Sequence, residues 1–222
     1  MKKWSQLERV TTPDGSVLTL AAHDGDYVIR VNARELMSSR HSYSEEQLGV
    51  LGCQAYAEQR EARVLIGGLG LGFTLRAALA TLAADAHVVV AELLPEVVTW
   101  NQNGAYQLAG DALADPRTEV VIGDVARVID QSQARFDAIL LDADNQTTTM
   151  NTAGNDHLYR AAGLASVHRA LTSHGTAVYW SAGENPAFAE RFSKSGFDVE
   201  VRRVRRHPST KASHYLLIGK RR

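Results

Sequence analysis

Two short runs, Ser16-Val17-Leu18-Thr19-Leu20 and Tyr27-Val28-Ile29-Arg30-Val31, partly alternate polar with apolar positions around Asp24-Gly25-Asp26. Such alternation marks a strand with one buried face, and an Asp-Gly turn between two of them marks a hairpin. Pro13-Asp14-Gly15 predicts another turn before the first strand. Arg34–Arg40 then leads into Ser44-Glu45-Glu46-Gln47-Leu48, where Ser44 and Gln47 have capping-box spacing. The stripe Leu48, Leu51, Ala55 and Tyr56 predicts a helix running to Gln59.

From Arg63 onward, apolar runs alternate with helix-like segments. The strands expected are Val64–Ile66, His87–Ala91, Glu119–Ile122, Ala138–Leu141, Thr176–Trp180 and His214–Ile218. The helices expected are Phe73–Ala83, Pro95–Asn101, Val125–Ile129, Leu158–Leu171 and Pro186–Lys194. Pro95 suits a first helical turn and Gly175 a helix stop. Such alternation predicts an α/β fold, a Rossmann-like doubly wound parallel sheet covered on both faces. No repeat or long linker interrupts it. The expected division is a hairpin-and-helix unit over residues 1–60 and a ligand-binding domain over 61–222.

Composition narrows the function classes. The 222 residues are 45% hydrophobic and 22% charged, as expected of a soluble globular protein. A net charge of -1 argues against bulk capture of nucleic acid or anionic membrane. The single Cys53 excludes an internal disulfide and fits a reducing compartment. The first residues, Met1-Lys2-Lys3-Trp4, begin no apolar signal segment, and no run reaches the roughly 20 residues of a membrane span. A cytoplasmic location is expected. His23, His41 and His157 have no partner at metal-ligand spacing, so no metal is assigned.

Candidate chemistry gathers where strands end. Gly68, Gly70 and Gly72 alternate in the loop after the first long apolar run, and glycine lets a nucleoside ligand approach backbone closely. The dinucleotide fingerprint wants its third glycine one place later, where Phe73 stands, which weakens NAD or FAD. Glu92 ends the next strand about twenty positions beyond Gly72, where an acid can accept both ribose hydroxyls. Asp124, after Gly123, is either an acceptor for an adenine amine or an N-cap. Asp142 and Asp144 follow the fourth strand, at the rim where open sheets bind ligands.

Val64–Gly72, Glu92-Leu93-Leu94-Pro95-Glu96-Val97-Val98, Gly123-Asp124 and Phe136–Asp142 resemble successive blocks of class I S-adenosylmethionine-dependent methyltransferases. Their order, with the N-terminal hairpin and Ser44-Glu45-Glu46, is similar to the spermidine synthase (aminopropyltransferase) family. That resemblance implies the methyltransferase-type sheet with its last strand antiparallel. It implies a cofactor site of Gly68, Gly70, Gly72, Glu92, Leu93, Gly123, Asp124, Val125 and Asp142. In it Glu92 holds ribose, Asp124 holds adenine, and Asp142, with Asp144 as a second acid, activates the attacking amine.

The implied cofactor is S-adenosylmethionine or decarboxylated S-adenosylmethionine, leaving S-adenosylhomocysteine or methylthioadenosine. The implied partners are a small amine acceptor and a second copy of the chain in a homodimer. Three departures stand out: Leu71 where the family carries Asp, Ser44-Glu45-Glu46 for Tyr-His-Glu, and Asp142-Ala143-Asp144-Asn145-Gln146 for Asp-Ser-Ser-Asp-Pro. The nucleoside half of the site is retained and the polyamine half is altered. The alternatives are a methyltransferase of unknown acceptor and a non-catalytic adenosyl-binding protein.

Other features have two readings each. Trp100 and Tyr106 either flank a ring or sit in the core. Ser181 and Glu184 either reach an acceptor or decorate a strand end. The loop Gln146–Asn155 is either a lid or plain surface. The basic run from Arg202 to His207, with Lys211, is either a nucleic-acid contact or a solvated strand edge.

Overall fold

The computed structural model describes residues 4–12, 15–106, 108–142, 155–207, 210 and 212–222. The N-terminal unit is a four-stranded antiparallel sheet of β1 (Ser5–Thr11), β2 (Val17–His23), β3 (Asp26–Val31) and β4 (Arg34–Ser38), in chain order. The expected hairpin is its central pair, joined at Asp24 and Gly25, both with positive φ. Two outer strands were not foreseen. β1 is mostly exposed and β4 alternates weakly, so neither shows a clear period of two. Helix α1 (Tyr43–Cys53) follows and ends at Cys53, short of Gln59, before a single 3-10 turn over Gln54–Tyr56.

Seven strands form the larger sheet: β5 (Arg63–Gly67), β6 (His87–Glu92), β7 (Thr118–Ile122), β8 (Phe136–Leu141), β9 (Leu171–Ser181), β10 (Phe197–Arg205) and β11 (Ser213–Arg221). Their spatial order is β10-β11-β9-β8-β5-β6-β7, with β11 antiparallel to both neighbours. Helices α2 (Phe73–Thr81), α3 (Pro95–Gln102), α4 (Val125–Asp130), α5 (Asn155–Leu158), α6 (Ala161–Ala170) and α7 (Pro186–Lys194) fill the crossovers. The basic run begins on the edge strand β10, whose Val201 and arginines are exposed while Phe197 and Val199 pack against the second apolar layer. Gly175 stops no helix: α6 ends at Ala170 and Gly175 is inside β9. A Cβ there would stand 2.8 Å from Leu171 Cβ, so close packing within the strand accounts for that glycine.

Two apolar layers sandwich the sheet. One contains Val64, Ile66, Leu140 and Val178 and continues into Leu18, Leu20 and Ile29 of the N-terminal sheet. The other is built round Leu65, Ile139 and Leu141, with Tyr179, Phe188, Phe192 and Phe197 in edge-on and stacked contact. Helix α1 lies in the first layer against α2. The crossing is so close that a Cβ on Gly49 would stand 2.6 Å from Thr74 O. Glycine is therefore required at the contact. This packing delivers the start of α1 to the carboxyl rim of the sheet. Among the described residues no helix is long and apolar enough to cross a membrane.

Candidate functional site

β5 and β8 are adjacent parallel strands whose crossovers lead in opposite directions, the switch point where open sheets hold ligands. The glycine loop leaves β5 there and Asp142 leaves β8, its N–H donating to Gly67 O at 3.2 Å. Gly70 and Gly72 have φ of +55° and +80°. A Cβ on Gly72 would also stand 2.5 Å from Ala109 Cβ, and one on Gly70 3.1 Å from Met37 Sδ. The loop is thus a left-handed turn pressed between the 109 segment and β4. No L side chain fits it at Gly72 without displacement.

Two side chains pin the loop. Glu92 Oε2 accepts from Leu69 N (2.8 Å) and Oε1 from Leu94 N (2.9 Å). Burial raises its pKa above the usual carboxylate range, and backbone N–H donors from Leu94, Leu69, Gly70 and Leu93 partly oppose that. Each carboxylate oxygen retains a lone pair, so a ligand hydroxyl has an acceptor without displacing the loop. Asn101, buried on α3, donates to Gly70 O (2.9 Å) and Val97 O (2.8 Å) and accepts from Ala109 N (3.0 Å). It was not foreseen. The signal for it in the sequence is a polar residue directly beside Trp100 at a buried end of α3.

Asp124 caps α4, its Oδ1 accepting from Ala126 N at 2.8 Å. Its second oxygen stays on the same rim as Glu92, since Gly123 N donates to Glu92 O (2.8 Å). Val125 packs within 3.1 Å of the Gly67 Cβ position, while Leu93 is 43% exposed on the rim. Gly68, Gly70, Gly72, Glu92, Leu93, Gly123, Asp124, Val125 and Asp142 therefore border one stretch of the rim. Asp144 and nearly all of the candidate lid loop lie outside the described residues.

The amine side of the site is built by the start of α1. Ser44 was expected to cap this helix with Gln47, but the helix begins one residue earlier, at Tyr43, after Ser42. Ser44 lies inside the first turn, buried, where its Oγ accepts from Trp180 Nε1 (3.2 Å) and shares a hydrogen bond with His214 Nδ1 (2.8 Å). The Trp180 and His214 rings meet edge-on at 4.6 Å. This cluster locks α1 to the rim ends of β9 and β11, with Glu45 the next residue along the helix. Burial first, then the charges of Asp142 and Glu46, drive the Glu45 pKa well above the carboxylate range. Protein encloses the carboxyl although the residue as a whole is only half-buried. The Asp142 charge thus acts on Glu45 beside the glycine loop, which favours a proton on Glu45 or a cation near the pair.

The remaining candidates divide. Trp100 is core, 4% exposed, and Tyr106 donates to Glu8 Oε1 at 2.6 Å. Ser181 Oγ donates to Gly183 O, and Glu184 accepts from Tyr215. Leu71 is 2% exposed and belongs to the apolar layer. The Cys53 thiol, fully buried, is pushed up to about 12 and takes no part in chemistry.

No protein-family model matches the chain. Over 143 residues it is 25% identical to a polyamine aminopropyltransferase of Clostridium tetani, covering 64% of this chain. It spans about half, 48%, of that relative's length. Two solved structures superpose over 97% of this chain and 72% of their own, each with a TM-score of 0.75. One is a spermidine synthase in complex with the transition-state analogue AdoDATO, 19% identical; the other is the spermidine synthase of Thermotoga maritima, 17% identical. The chain has the spermidine synthase-like form of the class I methyltransferase fold, with the sheet and N-terminal unit anticipated from its blocks.

Proposed function

We propose that this chain is a spermidine synthase-like transferase that moves an alkyl group from an adenosyl sulfonium to a small amine. The glycine loop pinned by Glu92 at the β5–β8 switch point, with Asp142 leaving β8 beside it, is the observation that carries this reading. The rim residues suit the donor: the loop is side-chain-free where backbone must come close, and Glu92 offers acceptors to a diol. The donor is S-adenosylmethionine or its decarboxylated form. Residues 1–60 serve as a cover whose Met37 meets the loop at Gly70.

The chemistry supplied by a bound adenosyl sulfonium is an activated carbon, where a C–N bond forms as the C–S bond breaks. Attack requires a neutral amine. Asp142 attracts the cationic form and takes the surplus proton as the amine is oriented. Glu45, held protonated by burial and by the charges of Asp142 and Glu46, leaves Asp142 as the charged member of the pair and so the acceptor for the proton of an incoming ammonium. Burial of Leu71 favours the methyl-transfer version of this reading. The loop offers no carboxylate at that position to an aminopropyl ammonium.

Asp142→Asn is the direct test. The variant should bind S-adenosylmethionine or its analogue with unchanged affinity and lose turnover by about 100-fold or more, the usual scale of a lost general base. Unchanged turnover removes Asp142 from the chemistry.

A further inference from the structure

The carboxyl rim carries a second group of side chains of opposite sign. β10 runs parallel to β9, so its end at Arg205 reaches the same rim, and Arg206 follows directly, its N–H donating to Ala212 O at 2.9 Å. His41 closes the turn before α1, three residues ahead of Ser44. The Ser44–His214 hydrogen bond joins these two elements, since His214 pairs with Val204 two residues before Arg206. His41 Nδ1 and Arg206 Nε are both shut off from solvent, and neither has a hydrogen-bond partner. Two such nitrogens at one corner of the rim, on half-buried residues with the Arg206 charge acting on His41, are uncommon, because each costs about 1–3 kcal/mol and more if charged.

We propose that this corner binds the oxyanion of the acceptor, a carboxylate or phosphate group carried on the amine that Glu45 and Asp142 receive. Arg206 Nε–H and His41 Nδ1–H are the donors. The acceptor is therefore an amino acid-like or phosphorylated amine rather than a simple diamine, an inference that rests on the transferase reading above. The charges around the corner agree. Arg40 is already held by Asp26 at 2.6 Å and contributes little, leaving Arg206 as the main cation, with His207 beside it. Glu35, exposed on β4, faces His41 and opposes an anion. Burial and Arg206 hold His41 below its usual pKa, so it serves as a neutral N–H donor near pH 7. The Ser44–His214–Trp180 cluster then lies between the acids that receive the nitrogen and the basic groups that receive the oxyanion.

Titration with inorganic phosphate, followed by 31P NMR and thermal shift, tests the corner without any donor present. Wild-type protein should bind phosphate saturably, and Arg206→Gln should weaken binding about tenfold or more. Glu35→Gln, at an exposed position that threatens no folding, should strengthen it about threefold by removing a nearby like charge. Absence of saturable binding to wild type, or no change in either variant, overturns the anion site. A second arm supplies S-adenosylmethionine with amines that differ only in a terminal carboxylate or phosphate. Preference for the anionic amine, lost in Arg206→Gln, supports the assignment to the acceptor; equal use of both overturns it. Failure to bind any adenosyl ligand would defeat the transferase reading while leaving the phosphate result standing.

Discussion

Replacing Leu71 by Asp, the substitution that would copy the acid of aminopropyltransferases, should unfold the site rather than restore it. Leu71 is 2% exposed and packs in the layer that holds Ile66 and Leu75. Removing such a side chain costs about 2–5 kcal/mol through lost transfer energy and the cavity left behind. Leaving an unpaired polar group there adds roughly 1–3 kcal/mol. The total, roughly 3–8 kcal/mol, takes most of the 5–15 kcal/mol that holds a typical domain together. Urea denaturation of wild type, Leu71→Ala and Leu71→Asp at several pH values separates the two contributions. A buried Asp has its folded pKa raised, so the protonated form is tolerated and the penalty grows as pH rises through that pKa. The Asp variant should approach the Ala variant at low pH and fall well below it near neutrality. Stability within about 1 kcal/mol of wild type, far below the cost of an ordinary buried Leu deletion, would refute this reasoning, above all if accompanied by aminopropyl transfer.

Glu45→Gln should leave the protein more stable than wild type near neutral pH. The raised pKa of Glu45 means that stability present below its ordinary value of 4.5 is lost as pH rises through the folded value, and the amide cannot lose it. The melting-temperature difference should widen with pH; a constant difference would mean that the Glu45 carboxyl is not enclosed as described. Gly72→Ala should cost about 2–5 kcal/mol, of which 1–2 come from the left-handed backbone and the rest from the Ala109 contact. Gly70→Ala, with only the flexible Met37 nearby, should cost the backbone contribution alone. Equal losses in a denaturant series would mean that Ala109 does not press on the loop.

The fold was legible because the inner parallel strands β5, β6 and β8 are buried on both faces and read as continuous apolar runs, as does the middle of β9. Their loops carry acids at the rim, where chain order alone locates them. β10 escaped although Phe197, Val199 and Val201 alternate with Asp198, Glu200 and Arg202, because it has no continuous apolar run and the arginines of its second half read as a solvated stretch. Asn101 and Glu45 escaped for a different reason. Each acts through a neighbour distant in sequence, Gly70 and Ala109 for one and Asp142 for the other, and only packing brings them together. The Ser44–Gln47 spacing misled because capping depends on backbone φ and ψ, and the helix starts after Ser42, which leaves Ser44 in its first turn, bonded to His214 and Trp180 instead. Leu71 reads in sequence as a missing carboxylate; its side chain in fact supports the loop from below.

Calorimetric titration with S-adenosylmethionine, its decarboxylated form, methylthioadenosine, S-adenosylhomocysteine and NADH tests the central claim most directly. Saturable binding of the adenosyl thioether and sulfonium compounds, with NADH inert, is the result predicted by Glu92 and the Gly68–Gly72 loop. Binding of NADH alone, or of none of the five, would contradict it.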